Sequence, residues 1–154
     1  MTSTKVSRVI KASRKAIYRA LIDPAALAAW RVPDDMTARL HEFDAREGGR
    51  YRMSLTYANP QGAPGKTSAD TDTFQGLFIT LVPDEKIVEA IVFEADDPKF
   101  AGRMTQTTSL ADVEGGTEVT ILHENLPVGV RPEDNELGCA MSLRKLATLI
   151  ETQR

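Results

Sequence analysis

Alternation of apolar and polar residues is the feature that most restricts how this chain can fold. In "RYRMSLTYA" (50–58), Tyr51, Met53, Leu55 and Tyr57 share one face of a predicted strand, and polar residues occupy the other face. One apolar and one polar face is typical of an antiparallel sheet that is covered on one side. Six further segments are predicted to be strands: 5–11, 38–44, 71–82, 86–95, 103–112 and 117–126.

Glycine pairs mark turns between these strands. The segment 47–49, Glu-Gly-Gly, is followed by a strand, whereas a phosphate-binding loop would open a helix. We therefore predict a hairpin turn with positive φ at one or both of Gly48 and Gly49. The same pattern at 114–116 predicts a second hairpin. The segment 59–70 holds two prolines and two glycines and predicts a loop long enough to act as a lid.

Capping residues predict three helices. Ser13 can cap a first short helix, and Asp23 followed by Pro24 ends that helix and starts a second. Pro132 begins a long C-terminal helix with acidic residues in its first turn, where the helix dipole favours them. The predicted order is one strand, two short helices, six strands and a long helix, which is an α+β arrangement. The apolar stripe of the last helix comprises Cys139, Leu143, Leu146 and Ile150, with Ala140 and Ala147 beside it.

Length, charge and cysteine content narrow the class of protein. The 154 residues suit a single domain spanning 1–154. The 19 basic and 22 acidic side chains are scattered, so no nucleic-acid partner is predicted. No apolar stretch approaches the roughly 18 residues of a membrane span, so no membrane insertion is predicted. The N-terminus lacks a signal-peptide pattern, and we expect a cytoplasmic protein.

Few residues offer catalytic or metal-binding chemistry. The two histidines, His41 and His123, lack a third ligand at metal spacing, so no metal site is predicted. His123 follows Val119 and Ile121 on the predicted inward face of its strand. It is a weak candidate for acid–base catalysis, and a structural hydrogen bond is the alternative. The single cysteine, Cys139, excludes an internal disulfide and is predicted to act as a small buried hydrophobe. No cofactor is predicted.

Five segments together resemble a known superfamily. They are "IYRALIDPAALAAW" followed by a proline, "FDAREGGRYRM", "LVPDEKIV", "TILHENLP" and "LGCAMSLRKLATLIE". In this order they resemble the helix-grip proteins of the SRPBCC superfamily, which include the lipid-transfer START domains and the birch-pollen allergen. The chain looks most like the branch named after the activator of heat-shock chaperone ATPase. The resemblance covers nearly the whole chain and implies a curved antiparallel β-sheet wrapped around the long C-terminal helix.

Two departures from the family pattern affect the expected interior. The family often shows Trp-Trp-Gly-Pro where this chain has Trp30-Arg31-Val32-Pro33. Its usual Gly-Trp near the start of the last helix is Gly138-Cys139 here. The second change removes a large ring from the helix face that grips the sheet.

The resemblance implies an apolar cavity between the sheet and the last helix. The inward residues of 50–58 either line this cavity or fill the core, and Trp30 is either a packing anchor or a ligand contact. Gln106 and Thr108 share an inward register with apolar neighbours, and they need polar partners that a ligand or water could supply. The predicted ligand-binding set is Trp30, Tyr51, Met53, Leu55, Tyr57, Gln106, His123, Cys139 and Leu143.

Three functions follow from the resemblance. The preferred one is binding of an apolar small molecule. The second is a cyclase-type or hydrolase-type enzyme on an apolar substrate, with His123 or a tyrosine as the acid–base group, although the sequence shows no paired carboxylates or triad. A chaperone ATPase cofactor is less expected, because we predict no second, chaperone-binding domain, and the family also includes stress-related proteins. Leu137 and Met141 are predicted to lie opposite the Cys139 stripe, as exposed surface or as a homodimer contact.

Overall fold

The computed structural model describes residues 2–34, 36–57 and 70–152. These residues form seven strands and three helices, together with a single-turn 3₁₀ helix (Pro98–Phe100). In chain order the elements are β1 (Thr4–Ile10), α1 (Arg14–Ile22), α2 (Pro24–Trp30), β2 (Met36–Phe43), β3 (Arg50–Tyr57), β4 (Thr71–Val82), β5 (Lys86–Phe93), β6 (Met104–Val113), β7 (Gly116–Glu124) and α3 (Pro132–Glu151).

The seven strands form one antiparallel sheet with the order β1-β7-β6-β5-β4-β3-β2. From β2 to β7 each strand pairs with its neighbour in sequence, and β1 completes the sheet by pairing with β7. Helices α1 and α2 connect the two edge strands, and α3 packs against β1 and α2. The curled sheet gripping a long C-terminal helix is the α+β helix-grip fold, and the predicted order of elements is confirmed.

The helices begin where the capping residues predict. The Ser13 side chain accepts a hydrogen bond from the Ala16 N–H at 3.1 Å, and Asp23 accepts one from the Ala25 N–H at 3.1 Å. Pro24 opens α2, where its missing N–H costs nothing. Helix α2 ends at Trp30, so Arg31 leaves the helix with its side chain beside the sheet.

The glycine turns are hairpins as predicted, but positive φ is found at only one glycine of the first pair. Gly48 has a φ of 83°, a left-handed conformation that suits glycine. Gly49 is required for another reason, because a Cβ atom there would collide with the carbonyl oxygen of Asp44. The turn also bonds to β4, since Gly48 N–H donates to Phe78 O at 2.8 Å. At the second hairpin Gly115 has a φ of 89°.

The apolar stripe of α3 forms much of the core. Cys139, Leu143, Leu146 and Ile150 are all buried, as predicted. Ala147 is buried beside them, but Ala140 is exposed, because it lies beyond the edge of the stripe that touches the sheet.

Two further expectations concern the predicted lid and membrane insertion. The lid predicted at 59–70 lies outside the described residues, except for Asp70. Among the residues that the structure describes, no helix is both long enough and apolar enough to cross a membrane.

Candidate ligand-binding cavity

A cavity of about 570 Å³ lies between the sheet and the N-terminal half of α3. We call it the main cavity. Side chains from β2 to β7 line its sheet side, and residues of α3 and of the segment before it line the other side. Most of the wall is apolar, and on the sheet side it includes Met36, Leu55, Phe74, Ile91, Phe93 and Met104.

The inward face of β3 is divided between the core and the main cavity. Tyr51 and Met53, at the start of the strand, are fully buried in the core and are not part of the cavity wall. Leu55 and Tyr57, at its end, line the cavity. The period of two therefore places all four side chains on one face, and the distance along the strand decides which of them face open space.

The other residues of the predicted ligand-binding set divide in the same way. Trp30, Gln106, His123 and Cys139 line the main cavity, whereas Leu143 is packed in the core. Trp30 is also a packing anchor, because it is buried and its indole Nε1 donates a hydrogen bond to Ala20 O at 3.0 Å.

A buried ion pair lies behind the part of the main cavity wall that Arg31 and Gln106 form, which we call the inner end. The Arg31 guanidinium lies 3.0 Å from Glu89 Oε1 and donates to Tyr51 Oη at 2.9 Å. Tyr51 in turn donates to Glu89 Oε1 at 2.6 Å, and burial keeps its pKa well above the ordinary value. Burial opposes the charge of Arg31, but Glu89 and Tyr51 together outweigh this effect and the pKa of Arg31 is raised. The guanidinium also lies over the rings of Tyr51 and Phe74, 5.2 and 5.6 Å from their centroids.

Gln106 connects the ion pair to His123. Its Nε2 donates to Glu89 Oε2 at 3.0 Å, so its Oε1 is the acceptor that lies 2.7 Å from His123 Nε2. The proton of the neutral imidazole is therefore on Nε2. The other ring nitrogen, Nδ1, lies 3.0 Å from Asn135 Oδ1, and Thr4 also donates to this oxygen. Gln106 thus has Glu89, His123 and Arg31 as partners within the protein, where we expected a ligand or water to supply them.

His123 is held as a neutral, fully engaged ring. Burial lowers its pKa, and the Arg31 charge acts in the same direction, against the raising effect of the Asn135 hydrogen bond. With its proton on Nε2, the ring can only accept at Nδ1, and the Asn135 amide donates to it when its Nδ2, rather than its Oδ1, is turned toward the ring. Both ring nitrogens face protein partners, and proton transfer to a cavity ligand would break one of these bonds.

The Cys139 thiol lies beside this ring. Its Sγ is 3.7 Å from His123 Nδ1, a neighbour that the sequence spacing of 16 residues did not indicate. Burial raises the pKa of Cys139 to about 11, so the thiol is protonated at neutral pH. The pair is a neutral thiol and a neutral imidazole, not an activated nucleophile.

Comparison with protein families identifies the branch to which the chain is related. Residues 11–151 match the model described as "Activator of Hsp90 ATPase homolog 1-like protein". The chain belongs to this family. The family has the helix-grip fold, which commonly binds hydrophobic ligands.

Solved structures of similar proteins agree with this assignment. Protein CV1439 from Chromobacterium violaceum is 32% identical, with a TM-score of 0.84 over 98% of this chain and 99% of that one. A protein from Rhodobacter sphaeroides has a TM-score of 0.80 at 22% identity, over 99% and 94% of the two chains. An AHSA1-like protein from Aeromonas hydrophila has a TM-score of 0.71 at 17% identity, over 99% and 94%. The last two show likeness of fold alone. A search of curated proteins gives no match.

In this member of the Activator of Hsp90 ATPase homolog 1-like family, Arg31 and Glu89 are the site residues that sequence reasoning missed. Each had a signal. Glu89 is a single acidic residue inside the apolar segment "KIVEAIVF", and Arg31 stands where the family pattern has a tryptophan. A charge at an apolar position predicts either a solvated side chain or a buried pair. The two residues are 58 positions apart, so pairing them requires the fold.

The positions of three other residues complete the description. Leu137 and Met141 were predicted to lie opposite the Cys139 stripe as surface or dimer contact. Leu137 is 57% exposed, as a surface position requires, and both residues also border the main cavity. The dimer contact stays a prediction. His41 is exposed at a bulge in β2 and contacts Ser54 Oγ at 2.8 Å, away from the cavity. Within the described residues, no cluster of His, Cys, Asp or Glu could hold a metal ion.

Proposed function

We propose that this protein binds a small, mostly apolar molecule in the main cavity. The observation that carries the proposal is the volume of about 570 Å³ between the sheet and α3. Sites for small molecules usually have volumes of about 300–1,000 Å³, with apolar walls and a few polar groups that orient the ligand. The main cavity has this composition, and Arg31, Gln106 and His123 are among its polar groups.

The apolar wall supplies the driving force in this proposal. Aromatic and sulfur-containing side chains face the cavity from several strands, from the 3₁₀ helix and from α3, and each can give up contact with water when a ligand enters. Such burial is worth roughly 25 cal/mol per Å² of apolar surface. The side chains concerned are Met36, Phe74, Phe93, Phe100, Met104 and Met141.

The state of the thiol and imidazole supports binding more than covalent catalysis. The Cys139 thiol has a pKa of about 11, and His123 is neutral with partners at both nitrogens. Neither group is prepared to attack a ligand at neutral pH. The wall therefore suits a ligand that is held without bond formation.

A fluorescence titration tests the proposal. N-phenyl-1-naphthylamine, a neutral dye that becomes bright in apolar surroundings, should bind the wild-type protein. Cys139→Trp places an indole in the cavity and should weaken dye binding by about tenfold or more, which corresponds to about 1.4 kcal/mol. Ala140→Trp adds the same ring on the exposed side of the helix and is the matched control.

The outcomes of this titration are distinct. Dye binding that Cys139→Trp weakens and Ala140→Trp preserves supports the proposal. An absence of dye binding, together with no apolar molecule in organic extracts of the purified protein by mass spectrometry, would contradict it. Equal binding by both variants would show that the dye binds elsewhere.

A further inference from the structure

We propose that the inner end of the main cavity recognises a neutral hydrogen-bond acceptor, of the carbonyl type, on an otherwise apolar ligand. Arg31 and Gln106 would donate to this group. The inference rests on the proposed function, because it concerns the orientation of a ligand in the same cavity.

A count of hydrogen bonds shows that the inner end has unused donors. Arg31 offers five N–H groups, Gln106 two, the Tyr51 hydroxyl one and the neutral His123 ring one, which makes nine. Six of these donate within the cluster: three from Arg31, and one each from Tyr51, Gln106 and His123. Three N–H groups therefore have no acceptor among the described residues, two on Arg31 and one on Gln106.

One of the unused N–H groups, that of Arg31 Nε, is shown to be accessible, and both residues that carry unused N–H groups line the main cavity. Every fully buried side-chain nitrogen or oxygen of the described residues has a hydrogen-bond partner, yet Arg31 Nε has none, so Nε must have accessible surface. Arg31 and Gln106 line two cavities, the main one and a second of about 10 Å³. The second has room for about one water molecule, so a larger ligand reaches these residues through the main cavity.

The charge of the cluster favours a neutral group over a carboxylate. Glu89 already balances Arg31, and His123 is neutral, so the buried cluster has no net charge. A ligand carboxylate would place a second negative charge beside Glu89, in a site that is largely removed from water. Arg131 at the cavity rim does not compensate, because its side chain is 73% exposed and pairs with Glu133. A carbonyl oxygen accepts the same hydrogen bonds without adding charge.

Three ligands of matched shape test the inference. They are 2-acetylnaphthalene, with a neutral carbonyl, 2-naphthoate, with a carboxylate, and 2-ethylnaphthalene, with no acceptor. Each is titrated into the wild-type protein in competition with N-phenyl-1-naphthylamine. We expect the ketone to bind about tenfold more tightly than the ethyl compound, because one hydrogen bond from a charged donor raises affinity by about that factor. We expect the carboxylate to bind more weakly than the ketone.

A paired substitution assigns the effect to the cluster. Arg31→Met combined with Glu89→Met removes both charges together, since removal of one would leave the other buried and unpaired. The ketone and the ethyl compound should then bind with affinities within about twofold of each other. Arg8→Met, on the exposed face of β1, is the matched control and should keep the wild-type preference. Thermal melts show whether each variant is folded, and the wild-type ligand series decides the question if the double variant is not.

Each result supports or overturns the inference. Tighter binding of the ketone that is lost in the double variant supports it. Equal binding of all three ligands would overturn it and leave the proposed function intact. Tightest binding of 2-naphthoate would overturn it in favour of an anion site. Failure of the dye and of all three ligands to bind would overturn both proposals, and retained ketone preference in a folded double variant would overturn the role of Arg31.

Discussion

The two halves of α3 use one apolar stripe in different ways. In the C-terminal half, Leu143, Leu146 and Ile150 are almost completely enclosed by the core. In the N-terminal half, Cys139 of the stripe borders the main cavity together with Leu137, which lies outside the stripe and is 57% exposed. The C-terminal half holds the helix on the sheet, and the N-terminal half leaves space beside it. An amphipathic pattern can therefore specify that a helix packs without specifying how tightly each turn packs.

The largest expected effect is a loss of packing in the C-terminal half. Leu146→Ala should lower the free energy of unfolding by about 2–5 kcal/mol, because it leaves a cavity in a close-packed region. Leu137→Ala in the cavity half should lower it by less than about 0.5 kcal/mol, since this side chain is mostly exposed. Urea denaturation of both variants measures the difference. Similar losses would mean that the two halves are packed alike.

Insertion of a large ring should separate the halves in the opposite sense. Leu143→Trp forces an indole into the packed core and should cost about 1–3 kcal/mol. Cys139→Trp directs the ring into the main cavity, so stability should stay near that of the wild type or rise through added apolar burial. Thermal melts of the two variants provide the measurement. If Cys139→Trp melts as far below the wild type as Leu143→Trp does, the space beside Cys139 is not open.

A smaller effect should follow from pH, through the imidazole in the cavity half. Burial lowers the pKa of His123 in the folded protein below its ordinary value of 6.5. The unfolded chain therefore binds more protons, so the free energy of unfolding should fall as pH drops below about 6.5 and level off below the folded pKa. His123→Gln should remove this part of the pH dependence, and His41→Gln on the exposed side of β2 is the matched control. The account of His123 fails if the wild type and His123→Gln show the same dependence between about pH 7 and pH 5 in urea denaturation.

Much of the fold could be predicted from local sequence features. Strand period, the caps at Ser13 and Asp23, and the hairpin glycines are each determined within a few residues. Even the departures have local causes. Only Gly48 of the first pair has a positive φ. Gly49 is required instead because the Asp44 carbonyl approaches it closely, a contact that composition does not reveal.

The polar cluster could not be predicted in the same way, because its partners are distant in sequence. The inward position of Gln106 follows from strand period, but Glu89 lies 17 residues away and reaches it only across paired strands. Arg31 comes from a different layer of the fold. The apolar stripe did not indicate the open space beside Cys139 either, since a stripe shows which side chains face inward and not whether the interior is filled. The cavity was expected from the family resemblance.

The most direct test of the account is to follow the methionine methyl groups by NMR while a ligand is added. Met36, Met104 and Met141 line the main cavity, whereas Met53 is buried in the core. In protein with ¹³C-labelled methionine methyl groups, N-phenyl-1-naphthylamine should shift the signals of Met36, Met104 and Met141 and leave Met53 nearly unchanged. Bright dye fluorescence without a shift at the three cavity methionines, or with the largest shift at Met53, would contradict binding between the sheet and the N-terminal half of α3.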